Sequence, residues 1–75
     1  MSETEIDARG LRCPLPVLRL QKVLLGAPSG TRIALLADDP VAVVDVPHFC
    51  SEGGHRLVAT TELADGARRY LVEKA

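Results

Sequence analysis

Seven residues, Thr31 to Ala37 (TRIALLA), limit what this 75-residue chain can become. Both alternating faces of the segment are apolar, as expected of a strand inside a sheet with a neighbour on either side. A chain this short buries only about 60% of its unfolded surface and has room for one core, so TRIALLA has to run through its middle. Helices cover only one sheet face in most small two-layer domains, and what covers the other face of this strand is left open.

The flanking segments supply the neighbours. Thr4 to Ala8 reads as a short strand with Ile6 and Ala8 on one face, and Gly10 follows at a turn where positive φ is cheap. From Pro14 to about Ala27 the pattern is helical: on a 100° wheel Pro16, Val17, Leu20, Val23, Leu24 and Ala27 share one arc of about 120°. Gly26, Pro28, Ser29 and Gly30 end that helix. A second helix starts at Asp39 as N-cap and Pro40 in the first turn, with Ala42, Val43, Val46, Phe49 and Cys50 facing inward. Pro47 lies inside it and removes the bond to the Val43 carbonyl, which predicts a kink or a break into two short pieces before Gly53 and Gly54 stop it. His55 to Leu63 and Arg68 to Lys74 are β-like runs joined through Ala64, Asp65 and Gly66, and Asp-Gly between such runs signals a hairpin. The order β-α-β-α-β-β predicts one domain over residues 1–75: an α/β (α+β) two-layer sandwich, with a four-stranded mixed sheet and both helices on one face.

Composition excludes several functions. One Phe, one Tyr and no Trp do not make a base-stacking platform. A net charge of −1 gives no pull toward polyanions or acidic membranes. No apolar run approaches the roughly 18 to 20 residues of a spanning helix, and the polar first dozen residues lack a signal-peptide core. The expectation is a cytoplasmic protein that binds neither nucleic acid nor membrane. Two cysteines 37 positions apart, Cys13 and Cys50, match neither a zinc ribbon nor a Cys-x-x-Cys redox site nor a disulfide framework, and no metal or cofactor is expected.

The chemistry concentrates in DARGLRCPLP, residues 7–16. Pro14 at the first helical position has a preset φ and no donor to lose, which makes Cys13 the N-cap. Pro16, still in the first turn, fixes the helix entry further. A thiol at the positive end of a helix, with Arg12 and Arg9 close in sequence, is expected to have a lowered pKa, and so to be a ready nucleophile and a good leaving group. The plain alternative is a small capping residue, although serine caps better. No second thiol, Ser-His-Asp order or metal-ligand spacing accompanies Cys13, so a one-thiol group carrier fits better than a hydrolase or a thioredoxin-like cycle.

Asp7, Gly10, Cys13, Pro14 and Pro16 form the pattern Asp-x-x-Gly-x-x-Cys-Pro-x-Pro. It is followed by the block DDPVAVVDVPHFCSEGGHRL and the ending DGARRYLVEK. In these three blocks the chain resembles the TusA/SirA-like family of sulfur carriers over nearly its whole length. The resemblance implies a β-α-β-α-β-β sandwich similar to the C-terminal domain of translation initiation factor 3. It implies a sulfurtransferase-type carrier that holds sulfane sulfur as a persulfide on Cys13. A cysteine desulfurase or rhodanese-like donor would load it, and a downstream acceptor protein would receive the sulfur for tRNA thiolation, molybdenum cofactor or other sulfur metabolism. Asp7, Gly10, Arg12, Pro14 and Pro16 are the supporting residues. The competing functions are a non-catalytic interaction or regulatory module, and a redox-sensing thiol.

Beyond the motif, Leu15 and Leu18 lie outside the core arc beside Arg19 and Lys22, one turn from the thiol, and are candidates for docking a partner. Leu25 lies with them. Cys50 is expected in the core as a small hydrophobe, and His48 and His55 as surface residues. Asp38 and Asp39 are positioned to orient an arginine of the motif loop, but a helix cap accounts for Asp39 without it.

Overall fold

The structure is a computed structural model and describes residues 4–75; residues 1–3 of the expected domain lie outside the described residues. Six elements follow in order: β1 (Thr4–Asp7), α1 (Leu15–Leu25), β2 (Arg32–Ala37), α2 (Ala42–Gly53), β3 (Arg56–Glu62) and β4 (Arg68–Glu73). The strands form one sheet in the order β1-β2-β4-β3. β1 runs parallel to β2, while β4 is antiparallel to both β2 and β3. TRIALLA is therefore an interior strand, and the mixed sheet with its two helices is the expected sandwich.

The helix-covered face holds the core. Ile33, Leu35 and Ala37 of β2 and Tyr70 and Val72 of β4 meet Leu20 and Leu24 of α1 and Ala42, Val46 and Cys50 of α2. Each helix contributes residues four apart, the spacing that keeps side chains on one face. The inward arc of α1 is as expected, with Pro16 fully buried at its start and Val17, Val23 and Ala27 packed around the core. Two expectations for α2 need correction. Val43 is exposed rather than inward, because the i, i+4, i+8 line of Ala42, Val46 and Cys50 leaves it to one side. The helix also runs unbroken through Pro47. Pro47 is exposed and Val43 with it, so the carbonyl left without a helical donor lies on the outer side of the helix, where solvent can serve it.

The second face of β2 is buried without a second layer of helices: Ala34 is 0% exposed, Leu36 8% and, beside them on β4, Leu71 9%. Register explains this. Ala34 lies between Glu5 and Leu71, and Leu36 between Asp7 and Arg69. The Arg69 guanidinium reaches diagonally across β2 to Glu5, with Nε and Oε2 3.8 Å apart, which puts its aliphatic stem on the same face as Ala34 and Leu36. Arg56 and Glu73 form a similar pair at the other end of the same face.

The turns are fixed locally. The β3-β4 hairpin closes through Leu63 N–H to the Ala67 carbonyl (2.9 Å), with Gly66 at φ +85° and the Asp65 carboxylate accepting from Ala67 N–H (3.2 Å). Gly53 has a different reason: a Cβ there would meet the His55 ring at 2.8 Å, and that ring stacks on Phe49 while its Nδ1 accepts from Ala75 N–H (3.0 Å). At the far end of α1, Lys74 Nζ donates to the Leu24 and Ala27 carbonyls at 2.7 and 2.9 Å. An ammonium therefore caps carbonyls that a helix C-terminus leaves free.

Two substitutions with opposite outcomes test this account. Lys74→Met, which keeps the stem and removes the cap, is expected to lower unfolding free energy by about 1 to 2 kcal/mol in urea titration. Tyr70→Phe is expected to cost less than about 1 kcal/mol or to stabilise, because the Tyr70 hydroxyl is buried with no hydrogen-bond partner among the described residues.

Candidate functional site

The C-terminal ends of β1 and β2 and the start of α2 converge on the loop that carries Cys13. β1 is continued by Ala8, whose N–H donates to the Leu36 carbonyl (2.8 Å). The chain then turns through Arg9 and Gly10, the latter at φ +84°, where a residue with a Cβ would be strained. Asp7 shapes this turn. Its carboxylate accepts from the Arg9 backbone N–H (3.1 Å) and from Arg9 Nε and Nη2 (2.9 and 2.8 Å), which holds the Asp7 carboxyl down at about 2. Arg9 Nη1 also reaches Asp65 in the hairpin at 3.2 Å, and the Arg9 pKa is raised by the same contacts. Arg9 thus joins the motif loop to the β3-β4 hairpin and is not directed at the thiol.

Two carboxylates from the end of β2 clamp the loop backbone. Asp38 accepts from Gly10 N–H through both oxygens (3.0 and 3.2 Å). Asp39, almost fully buried, accepts from Cys13 N–H through Oδ2 and from Val41 N–H through Oδ1 (3.1 Å). The second bond closes a turn ahead of α2 and corrects the expected start: the helix begins at Ala42 with Val41 at its N-cap, so Asp39 and Pro40 precede it instead of capping and opening it. The first is a long-range restraint, spanning 26 residues of sequence, that sequence reasoning did not supply. Both backbone bonds hold the Asp39 carboxyl below its ordinary pKa, and the Arg12 charge adds to the shift. No hydrogen bond or ion pair joins Arg12 to Cys13 Sγ, whose side-chain partner is Asp45.

Cys13 itself differs from expectation in two ways. The helix begins one residue later than predicted, with Pro14 as N-cap, Leu15 first and Pro16 second. Cys13 lies just before it, in a turn closed by Leu15 N–H to the Arg12 carbonyl (2.8 Å), and the Pro14 carbonyl accepts the first helical bond from Leu18. The Cys13–Pro14 peptide is cis. The second correction is electrostatic. The thiol is exposed, but Sγ donates to Asp45 Oδ2 at 2.7 Å. The pKa is raised, not lowered: Asp45 favours the protonated form through that hydrogen bond, followed by partial desolvation and by the negative charges of Asp45 and Asp39. A contact carboxylate outweighs a helix terminus whose free N–H groups begin a residue further on.

The crevice beneath the thiol is lined by Cys13, Pro16, Val17, Asp39, Ala42 and Asp45 and has essentially no free interior volume. A small substrate has no room to be enclosed, so whatever reacts with Sγ meets it at the surface. Pro16 is the floor of this crevice as well as a helix starter. Leu15 and Leu18 are 47% and 48% exposed but do not line it, and Arg19 and Lys22 line a separate open groove with Ile6, Val23 and Gly26. Cys50 is buried in the core as expected, and burial raises its thiol pKa. Among the described residues no group of His, Cys, Asp and Glu could hold a metal ion, and no helix is long and apolar enough to cross a membrane.

Asp45 was missed in the sequence because an acidic residue in the first turn of a helix needs no further reason. Only the packing of α2 against the start of α1 makes it a neighbour of Cys13.

The lowered carboxyls set a pH dependence of stability. Asp7, Asp39 and Asp65 all have folded-state pKa values below the unfolded value. Each contributes stability that is present above about pH 4 and is lost as the pH falls through its folded value, near 2 for Asp7. In urea titrations from pH 5 down to pH 2, wild type is expected to lose stability, and Asp39→Asn is expected to start less stable and to fall less steeply.

With this geometry in place, two similarities bear on identity. The structure is similar to the crystal structure of a SirA-like protein from Desulfitobacterium hafniense, with a TM-score of 0.84 and 24% sequence identity over 93% of this chain and 95% of that one, which speaks for the fold. The family model described as sulfurtransferase TusA matches residues 4–74, which include the Cys13 loop, both clamping aspartates and Asp45. The chain belongs to the TusA sulfurtransferase family.

Proposed function

We propose that Cys13 is the sulfur-carrying residue, taking sulfane sulfur from a donor protein as a persulfide and passing it to an acceptor. The observation that carries this reading is an exposed thiol on a loop whose backbone is fixed by buried or bidentate carboxylate contacts, in a family of sulfurtransferases. Cys50, the other thiol, is 2% exposed and has no access to a partner.

In loading, Cys13 Sγ attacks the outer sulfur of the donor's persulfide. The S–S bond of the donor breaks, the donor's inner sulfur leaves with the bonding pair, and the Cys13 proton passes to it. The transferred sulfur keeps its oxidation level, so no redox partner is needed. The shallow crevice supports donors and acceptors that bring their own sulfur or thiol to the surface, such as a cysteine desulfurase, a rhodanese-like protein or a downstream acceptor protein. Leu15 and Leu18, with Arg19 and Lys22 beside them, are the proposed docking residues. Asp7, Gly10, Arg12, Pro14 and Pro16 serve by shaping and supporting the loop. Use of the sulfur in tRNA thiolation, molybdenum cofactor or other sulfur metabolism, in the cytoplasm, accords with this reading.

Redox sensing is the weaker alternative, because sensor thiols are low-pKa thiolates and Asp45 opposes that state here. A non-catalytic interaction module has no specific observation in its favour.

The test is mass spectrometry of intact protein after incubation with a cysteine desulfurase and cysteine, or a rhodanese and thiosulfate. Wild type and Cys50→Ser are expected to gain one sulfur atom, removable by reductant, and Cys13→Ser none. No gain in wild type with either donor, or a gain retained by Cys13→Ser, defeats the proposal.

A further inference from the structure

The contact between Cys13 Sγ and Asp45 Oδ2 needs a proton on Sγ. An empty carrier has that proton and a loaded one does not, because Sγ is then bonded to carbon and to the second sulfur. The terminal sulfur of a persulfide is the more acidic site, and when ionised it puts a negative charge close to a carboxylate that had been accepting a hydrogen bond. The two states of the carrier therefore see Asp45 with opposite sign.

The charged groups in direct contact with Cys13 are carboxylates. From α2, Asp45 faces Sγ directly. From the β2-α2 connection, Asp39 holds the Cys13 amide and is also negative. From α1 the crevice receives only Pro16 and Val17, which carry no charge. On the loop itself, Arg12 is exposed and makes no hydrogen bond or ion pair with Sγ, and Arg9 is engaged by Asp7 and Asp65. Among the described residues no cation forms an ion pair or hydrogen bond with Cys13 Sγ, whose partner is the Asp45 carboxylate.

We propose that Asp45 is a positioning residue that favours the empty carrier over the loaded one, holding Cys13 as an oriented thiol between encounters and biasing the persulfide toward delivery. This rests on Cys13 being the sulfur carrier. Delivery to a thiolate acceptor is balanced as Cys13–S–SH plus R–S⁻ giving Cys13–SH plus R–S–S⁻. The acceptor sulfur bonds to the terminal sulfur, the Sγ–S bond breaks with its electron pair on Sγ, and the proton formerly on the terminal sulfur ends on Sγ. There Asp45 accepts its hydrogen bond, so the carboxylate stabilises the product side and destabilises the ionised reactant. The raised thiol pKa has a second consequence: an empty carrier spends little time as a thiolate open to oxidants and alkylating agents.

The experiment has two arms on the intact chain, with Asp45→Asn as the main variant and Asp45→Ser as a second, each first shown to be folded by circular dichroism. In the first, iodoacetamide modification of Cys13 is followed by mass spectrometry from pH 6 to pH 10. The midpoint for wild type is expected to lie above that of both variants, with modification at pH 7 faster in the variants by on the order of tenfold. A merely structural role for Asp45 would not move that midpoint. Equal midpoints in all three proteins overturn the proposal. In the second arm, each protein is loaded with inorganic polysulfide, freed of excess, and exposed to glutathione. At equilibrium with glutathione, the fraction of sulfur remaining is expected to be lower on wild type than on Asp45→Asn by about threefold or more, and equal or reversed fractions overturn the delivery bias even if the midpoints differ. Failure of wild-type Cys13 to take up sulfur from polysulfide would count against the carrier reading and with it the delivery bias, while the alkylation arm would still decide whether Asp45 sets the state of the thiol.

Discussion

The architecture of the site depends on Asp38 and Asp39, two carboxylates at the end of an interior strand, holding the amides of a neighbouring loop. β2 is the most constrained element of the molecule, flanked by β1 and β4 and buried on both faces over five of its six residues. Whatever its end grips inherits that rigidity. Gly10 and Cys13 are gripped at two points three residues apart, and the helix begins immediately beyond. A charge-assisted bond from a nearly buried carboxylate to a backbone N–H is among the stronger restraints available to a loop, and it fixes main chain rather than side chain. The thiol is thereby placed without being enclosed. The carrier role proposed for Cys13 needs both properties.

The clamp also explains why the Cys13 crevice is negative. Backbone amides are held most firmly by anions, and Asp39 offers one oxygen to Cys13 and the other to the start of α2, so the same group organises both helix entries. Asp45, one turn into α2, then lies against the thiol. The site's electrostatics follow from how its geometry is enforced, and the positive end of α1 is offset by carboxylates in direct contact.

Much of the fold was legible because hydrophobic period and turn chemistry agree along the chain. TRIALLA required an interior strand, the 3.6-residue arc of α1 is the arc that is buried, and Asp65-Gly66 closes the hairpin as such a pair should. What failed were inferences from one residue's local rule where a tertiary neighbour decided. Pro47 would break a helix whose freed carbonyl was buried, and here it lies on the outer side. Val43 shared an arc on the wheel with Ala42 and Val46 but lies off the line that α2 buries. Pro14 satisfies the local rule for a first helical residue, yet the turn from Arg12 to Leu15 makes it the cap. Arg9, close to Cys13 along the chain, is held by Asp7 and by Asp65 of the hairpin, and Arg12 makes no ion pair with the thiol. The cover on the second face of β2 was illegible for the same reason, since it depends on Arg69 reaching over one strand to Glu5 on the next.

The reversal in the thiol's electrostatics changes how the chemistry must work. A thiol activated at rest reacts with whatever arrives, and selectivity then has to come from scarcity of competitors. A thiol held protonated by Asp45 reacts when that contact is broken or its proton is taken, and a partner docking across the start of α1 and the first turn of α2 is placed to do both. Nucleophilicity is not lost, because the thiolate of a higher-pKa thiol is intrinsically the more reactive once formed. The cost is a small thiolate fraction in the free protein, which a carrier working inside complexes can bear. Under the carrier role proposed for Cys13, the specificity of sulfur transfer lies in the encounter with a partner, and the thiol of the free protein is quiet.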